Sequence, residues 1–186
     1  MHRVFVSIHD KNYQYLRIFL TVLLLSVMPV ISMYGQVIMQ HPHEEIGNSV
    51  DTVGFKKVFL AGTIDMGNSV DWQKNLVTYL ESRGGKWLLF NPRQDSWNGE
   101  KKGEMDYQVN WELSHLEQSD FIIMNILETS KSPISLLELG LFARSGKIAV
   151  ACDTKFYRYN NVKITCQKYG VHLYPNLEAL LQSEFK

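Results

Sequence analysis

A chain of 186 residues is long enough to bury a full core within one domain and requires no second module. Nineteen acidic side chains balance nineteen basic ones, which argues against a footprint for a nucleic-acid polymer. The two cysteines, Cys152 and Cys166, lack metal-ligand spacing and read as core residues, which argues against a zinc site or a redox pair.

The chain opens on different material. Arg3, Lys11 and Arg17 precede an uncharged, mostly apolar stretch, Ile18 to Ile38, as apolar at its centre as a signal-peptide core or a membrane span. Residues 1–39 are therefore expected to be a hydrophobic N-terminal segment that associates with a membrane through residues 18–38. With basic residues before it and Glu44 and Glu45 after it, the rest of the chain would lie outside the cytoplasm, anchored or exported. A translation start near Met33 or Met39 would instead leave a cytoplasmic protein. Residues 40–55, with His41, His43 and several Pro, Gly, Asn and Ser, read as a linker without functional histidines.

From residue 56 to 186, short apolar runs alternate with helical patterns, as in a parallel sheet covered by helices. Strands are expected at 57–61, 86–90, 120–125, 147–151 and 171–173, and helices at 70–82, 104–118, 133–144, 162–169 and 177–185. The fold class is α/β, a doubly wound, flavodoxin- or Rossmann-like, five-stranded mostly parallel sheet with helices on both faces. Ligands of such folds bind beyond the carboxyl ends of the strands, where strand order reverses. The loops following the first three strands, AGTIDMGNSVDW, NPRQDSWNGEKKG and ILETSKSPIS, are the most polar and turn-rich stretches of this region. Neither a GxGxxG fingerprint nor a phosphate loop occurs, so no nucleotide cofactor is expected.

The most telling stretch is SPISLLELG, Ser132 to Gly140. Ser132 suits an N-cap and Pro133 the first helical turn. Between Ile134 and Ala143 only Ser135 and Glu138 are polar, on one helical face. A helix apolar nearly all round is expected to be buried, and a carboxylate there must be paired, neutralised or turned into a cavity. On the preceding helix, Gln108, Glu112 and His115 share a face, so Glu112 could join Glu138 in the carboxylate pair that glycosidic-bond chemistry uses. Asp65 and Asp95 are further acids of the same rim, whereas Asp120, at a strand start, suits a structural role. Arg93 has the planar fork for a phosphate, a carboxylate or a loop salt bridge, and Trp72 and Trp97 offer planes for stacking or for covering the core.

LAGTIDMGNSVDWQ, NPRQDSW, QVNWE, SPISLLELG and RYNNV occur in that order, and together they resemble the nucleoside 2-deoxyribosyltransferase-like family over roughly residues 56–180. The resemblance implies transfer of a 2-deoxyribosyl group between nucleobases, or its hydrolysis, through a covalent sugar intermediate on the Glu of the ELG motif, Glu138. It implies proton or hydroxyl handling by Glu112, with Asp65 as a further acid. Gly62, Thr63, Trp72 and Gln73 would contact substrate in the first loop, Asn91, Arg93 and Trp97 in the second, with Ser132, Ser135 and Asn161 completing the set. Characterised transferases carry an Asp six residues before the nucleophile where this chain has Ser132, so Asp65, Asp95 or Glu112 would take over its proton exchange, or water would be the acceptor. The implied partners are a deoxynucleoside or deoxynucleotide, a free nucleobase and further copies of the chain. A non-catalytic nucleotide sensor using the same cleft is the alternative from another class.

Overall fold

The computed structural model describes residues 34–47, 49–94 and 97–186. The apolar run before residue 34, Met33 and Asp95 lie outside them. Each short run rich in Val, Ile, Leu and Phe folds as a strand: β1 Gln36–Gln40, β2 Lys56–Gly62, β3 Lys86–Phe90, β4 Phe121–Ile126, β5 Ile148–Cys152 and β6 His172–Tyr174. Between and after them come α1 Trp72–Arg83, α2 Glu104–Gln118, α3 Pro133–Phe142, α4 Tyr159–Tyr169 and α5 Leu177–Glu184. The strands form one six-stranded sheet in the order β1-β3-β2-β4-β5-β6, every pairing parallel.

Alternation along the strands sends successive side chains to opposite faces. Phe59, Ala61, Ile122 and Met124 join Trp111, Leu116, Leu139, Val162 and Cys166 in one core layer. Val58, Leu60 and Ile123 join Leu76, Leu80, Leu180 and Leu181 in the other. Helices thus cover both faces, which makes the sheet doubly wound. Burial pushes the Cys152 thiol up to about 12 and that of Cys166 up to about 11, so both remain protonated core groups.

The sixth strand corrects the expected count of five. Residues 36–39, expected to belong to the hydrophobic N-terminal segment, pair with Lys86–Leu89 at the edge of the sheet as part of β1. An apolar tripeptide such as Val37–Met39 has the same pattern whether it ends a membrane run or makes an edge strand, and only the partner β3 distinguishes the two. Among the described residues, no helix is long and apolar enough to cross a membrane.

From β2 the chain goes to β3 on one side and then crosses to β4 on the other. The carboxyl ends of β2 and β4 therefore flank the point where strand order reverses, and a crevice opens there. Gly62 is needed at that point: its φ is +123°, and a Cβ would collide with the backbone of Asn125 on β4. Asp120 anchors the opposite end of the strands, accepting from Lys57 N at 2.8 Å.

Candidate active site

A cleft of about 390 Å³ lies over the carboxyl ends of β2 and β4, within the range of about 300–1,000 Å³ usual for ligand pockets. Of the residues expected from sequence, Gly62, Thr63, Asp65, Trp97, Glu112, Ser132, Ser135 and Glu138 line it. Trp72, Gln73, Asn91, Arg93 and Asn161 do not.

Glu138 comes from the second turn of α3. Its residue is 7% exposed, and among the described residues no hydrogen bond reaches its carboxylate. Burial, reinforced by the neighbouring charge of Glu112, pushes its carboxyl up to about 8. Glu112 is half-buried on α2, raised by burial against the lowering effect of a hydrogen bond from Gln108 Nε2 at 2.7 Å. The two carboxyls therefore resist ionising together, and the pair keeps a proton up to about pH 8. Ser135 is buried on the same helical face without a hydrogen bond to Glu138.

Helix α3 inverts the expected pattern. Its buried residues are Ser135, Glu138 and Leu139, while Ile134, Leu137 and Leu141 are more than half exposed in the single chain. The helix is apolar nearly all round, yet its polar strip is the side turned inward to the cleft. Ser132 occupies the N-cap position but does not cap. It has a left-handed backbone, φ +42°, and its Oγ hydrogen-bonds Thr63 Oγ1 at 2.8 Å and donates to Ser130 Oγ at 3.0 Å. A non-glycine residue held in that region stores strain of about 1 kcal/mol or more, a feature that clusters at functional sites. Thr63 Oγ1 also accepts from Leu127 N at 3.0 Å and its carbonyl accepts from Trp72 Nε1 at 2.9 Å. Thr63 therefore ties the loop after β2 to the loop after β4 and to the start of α3. Asp65 sits at the exposed rim in the same left-handed region, φ +49°, its carboxylate accepting from Ser130 Oγ.

Arg93 corrects the expectation of a phosphate ligand. Its guanidinium is buried and turned into the first loop, where Nη1 donates to Gly67 O at 3.0 Å. Nη2 donates to Ser69 O at 3.1 Å, Ser69 Oγ at 2.9 Å and Val70 O at 3.2 Å. Nε donates to Gln73 Oε1 at 3.3 Å. The fork is engaged by the loop it shapes. Gln73 and Asn91 belong to the same scaffold, Asn91 Oδ1 accepting from Arg93 N at 3.1 Å. Trp72 is a core side chain, and Asn161 lies in a separate groove between α3 and α4. His115 faces away from the cleft, stacked on Trp111 with ring centroids 4.0 Å apart, and burial holds its imidazole below the usual value.

Sequence reasoning placed Gln108 beside Glu112 but missed the residues behind it, Gln94, Glu104 and His43. His43 Nε2 donates to Glu104 Oε1 at 2.8 Å and holds that carboxyl below its ordinary value. Gln94 Nε2 donates to Gln108 Oε1 and, at 3.5 Å, to Glu104 Oε1. Gln108 Nε2 donates to Glu112. A carboxylate accepts only, so Glu104 orients the Gln94 amide, which orients Gln108, and a donor ends on Glu112. His41 Nδ1 meanwhile donates to Arg93 O at 2.8 Å. The stretch taken for a linker without functional histidines thus packs against Arg93 and the start of α2, behind the cleft. Neutral amides and a histidine outside the strand-and-helix pattern carry no sequence signal for such a chain of contacts.

The arrangement consists of a buried and a half-buried carboxyl that repel each other at a strand-order reversal, with a third acid at the rim. Residues 55–156 match the family described as nucleoside 2-deoxyribosyltransferase like, more than half of the chain. The chain belongs to this family. No curated protein was found that matches it. Membership in the nucleoside 2-deoxyribosyltransferase-like family points to small-molecule nucleoside and nucleobase substrates and to glycosyl-transfer chemistry as a class. Among the described residues, no group of three or more His, Cys, Asp or Glu is arranged to hold a metal ion.

Proposed function

We propose that the protein cleaves the N-glycosidic bond of 2-deoxyribonucleosides by a retaining double displacement on Glu138 and passes the deoxyribosyl group to a second base, with water as the competing acceptor. The observation that carries this reading is the buried, unpaired Glu138 carboxyl in the cleft beside Glu112. A monoprotonated pair holds both functions the first step needs, an attacking carboxylate and an acid. Glu138 attacks C1′ while the proton, drawn to Glu112, passes to the departing base through an oxocarbenium-like state. In the second step Glu112 accepts the proton of the incoming base or water. A 2-deoxy sugar lacks the hydroxyl whose electron withdrawal opposes the cationic state, so few supporting groups are required.

Between a free nucleoside and its 5′-monophosphate, the cleft favours the former. Among the described residues its charged lining is Asp65, Glu112 and Glu138, and Arg93 is engaged elsewhere. The exposed stripe Ile134, Leu137 and Leu141 supports the homo-oligomer that the family resemblance implies, with a second copy covering this face. Sedimentation of wild type against Leu137→Glu tests that assembly.

Incubating the purified chain with deoxynucleosides, with and without a second base, and resolving products by chromatography separates transferase, hydrolase and binder. A new deoxynucleoside marks transfer, free deoxyribose marks hydrolysis, and unchanged substrate despite binding marks a sensor. Glu138→Gln should keep binding and lose about a thousandfold or more in turnover. Normal turnover in that variant would remove Glu138 from the mechanism.

A further inference from the structure

The cleft combines an acidic floor with apolar walls. Ile64, Met66, Trp97, Met105, Val109 and Ile134 form much of the wall, and Trp97 contributes an aromatic surface. All charged residues lining it among those described are acids, Asp65, Glu112 and Glu138. Glu112 and Glu138 lie where charges interact strongly, and the described lining brings no cation to offset them. The Glu138 carboxylate has no hydrogen-bond donor among the described residues, so its ionised form lacks a counter-charge.

Proton donors are scarce too. The Ser132 hydroxyl is taken up by Thr63 and Ser130, and the Gln94 and Gln108 amides by each other and by Glu112, which leaves Ser135 Oγ and the unpartnered Trp97 Nε1, neither of them acidic enough to protonate a leaving base. The same pair of carboxyls must therefore attack the sugar and protonate a neutral leaving base. A ligand bringing its own positive charge removes the second demand and supplies the missing counter-charge.

We propose that the preferred substrates of this cleft are N-glycosides whose heterocycle is permanently cationic, such as a pyridinium or an N-alkylated purine, released without protonation of the base. This rests on the assignment of Glu138 as nucleophile. Binding of the cation releases the proton held by the pair to solvent; a Glu138 oxygen then bonds to C1′ as the C1′–N bond breaks, and the bonding pair moves onto the ring nitrogen and quenches its charge, so a neutral heterocycle leaves. Water then attacks C1′, its proton goes to the Glu112 carboxylate, and the Glu138 carboxylate is regenerated. The apolar wall and the Trp97 ring suit a flat, weakly hydrated cation better than a compact ammonium.

The test uses a matched pair of unreactive probes, N1-methylnicotinamide, a cation, and nicotinamide, its neutral parent, in tryptophan-fluorescence titrations of the full chain at pH 7. The cation should bind about tenfold or more tightly, and Glu138→Gln, checked for folding by circular dichroism, should cut that preference to about threefold or less. Equal affinities, or a preference unchanged in Glu138→Gln, would overturn the inference. Turnover follows with nicotinamide 2′-deoxyriboside and 2′-deoxyadenosine, each corrected for spontaneous hydrolysis. Faster release of nicotinamide, abolished in Glu138→Gln, supports the inference. Release of adenine without cationic preference overturns the inference alone, and no release from either substrate overturns the proposed glycosidic function with it.

Discussion

Arg93 and Glu138 are both charged side chains buried at the same end of the sheet, and their surroundings treat them in opposite ways. Arg93 gives hydrogen bonds to three backbone carbonyls of the loop it holds and to the side chains of Ser69 and Gln73, with Asp71 at 3.9 Å as a more distant counter-charge. Glu138 receives none among the described residues and faces another carboxyl across a cleft. A buried charge whose hydrogen-bonding capacity is filled belongs to the scaffold. One left without partners destabilises the fold and persists where its reactivity is used.

The largest expected effect breaks this contrast at Glu138. Because its carboxyl is raised to about 8 from an ordinary 4.5, the native state keeps a proton that the unfolded chain loses between those values. Its contribution to stability therefore falls as pH rises from 4.5 to 8 and stays level above. Glu138→Gln should remove that penalty and, on the proposed mechanism, also abolish turnover. Urea denaturation should show the variant more stable than wild type by roughly 2–5 kcal/mol at pH 9, converging towards equality near pH 4.5. A variant less stable at pH 9 would mean that Glu138 is satisfied by contacts outside the described set.

Arg93→Met is the opposite case. It leaves the carbonyls of Gly67, Ser69 and Val70 without their donor and should lose about 3–4 kcal/mol in the same denaturation experiment. A loss below about 1 kcal/mol would return Arg93 to the list of candidate ligand contacts.

Thr63→Val sharpens the comparison on a smaller scale. It removes the hydroxyl that bridges Leu127 N and Ser132 Oγ, at an expected cost of about 1–2 kcal/mol. The loss should come with a raised KM, because Ser132 is released from its strained backbone beside the pair. An unchanged KM would show that the strain has no bearing on substrate binding.

The smallest effect is expected at His43, which is 47% exposed and reaches Glu112 only through Glu104, Gln94 and Gln108. His43→Phe can keep the stack on Tyr107 while losing the bond to Glu104. Stability should change by about 0.5 kcal/mol or less, given solvent screening at this site. Glu112, followed by carboxyl-carbon NMR, should titrate higher if amide orientation is relayed along the chain. An unmoved Glu112 would confine His43 to packing.

Most of the domain's elements were legible in sequence. A strand buried on both faces needs a continuous apolar run, and KVFLA, KWLLF, DFIIMN and KIAVA each fold as expected to within a residue or two. The edge strand β1 was not, because an edge strand and the tail of a membrane-like run share one pattern. At the site, Glu138, Glu112, Asp65, Gly62, Thr63, Trp97, Ser132 and Ser135 were readable as cleft residues from motif and helical spacing. Arg93, Gln73, Asn91 and Trp72 were equally conspicuous in the same motifs yet serve the scaffold.

Local sequence alone determined the order of strands and helices, the loops that carry chemistry, and the isolation of one carboxylate in an apolar helix, because periodicity and turn residues act over a few positions. Tertiary structure decided which side of that helix faces the cleft, whether Arg93 binds a ligand or a loop, and how far the Glu138 proton is held. Each of those depends on hydrogen-bond partners and charges from elements far apart in the chain, and the energy of a buried charge is set by what surrounds it in space.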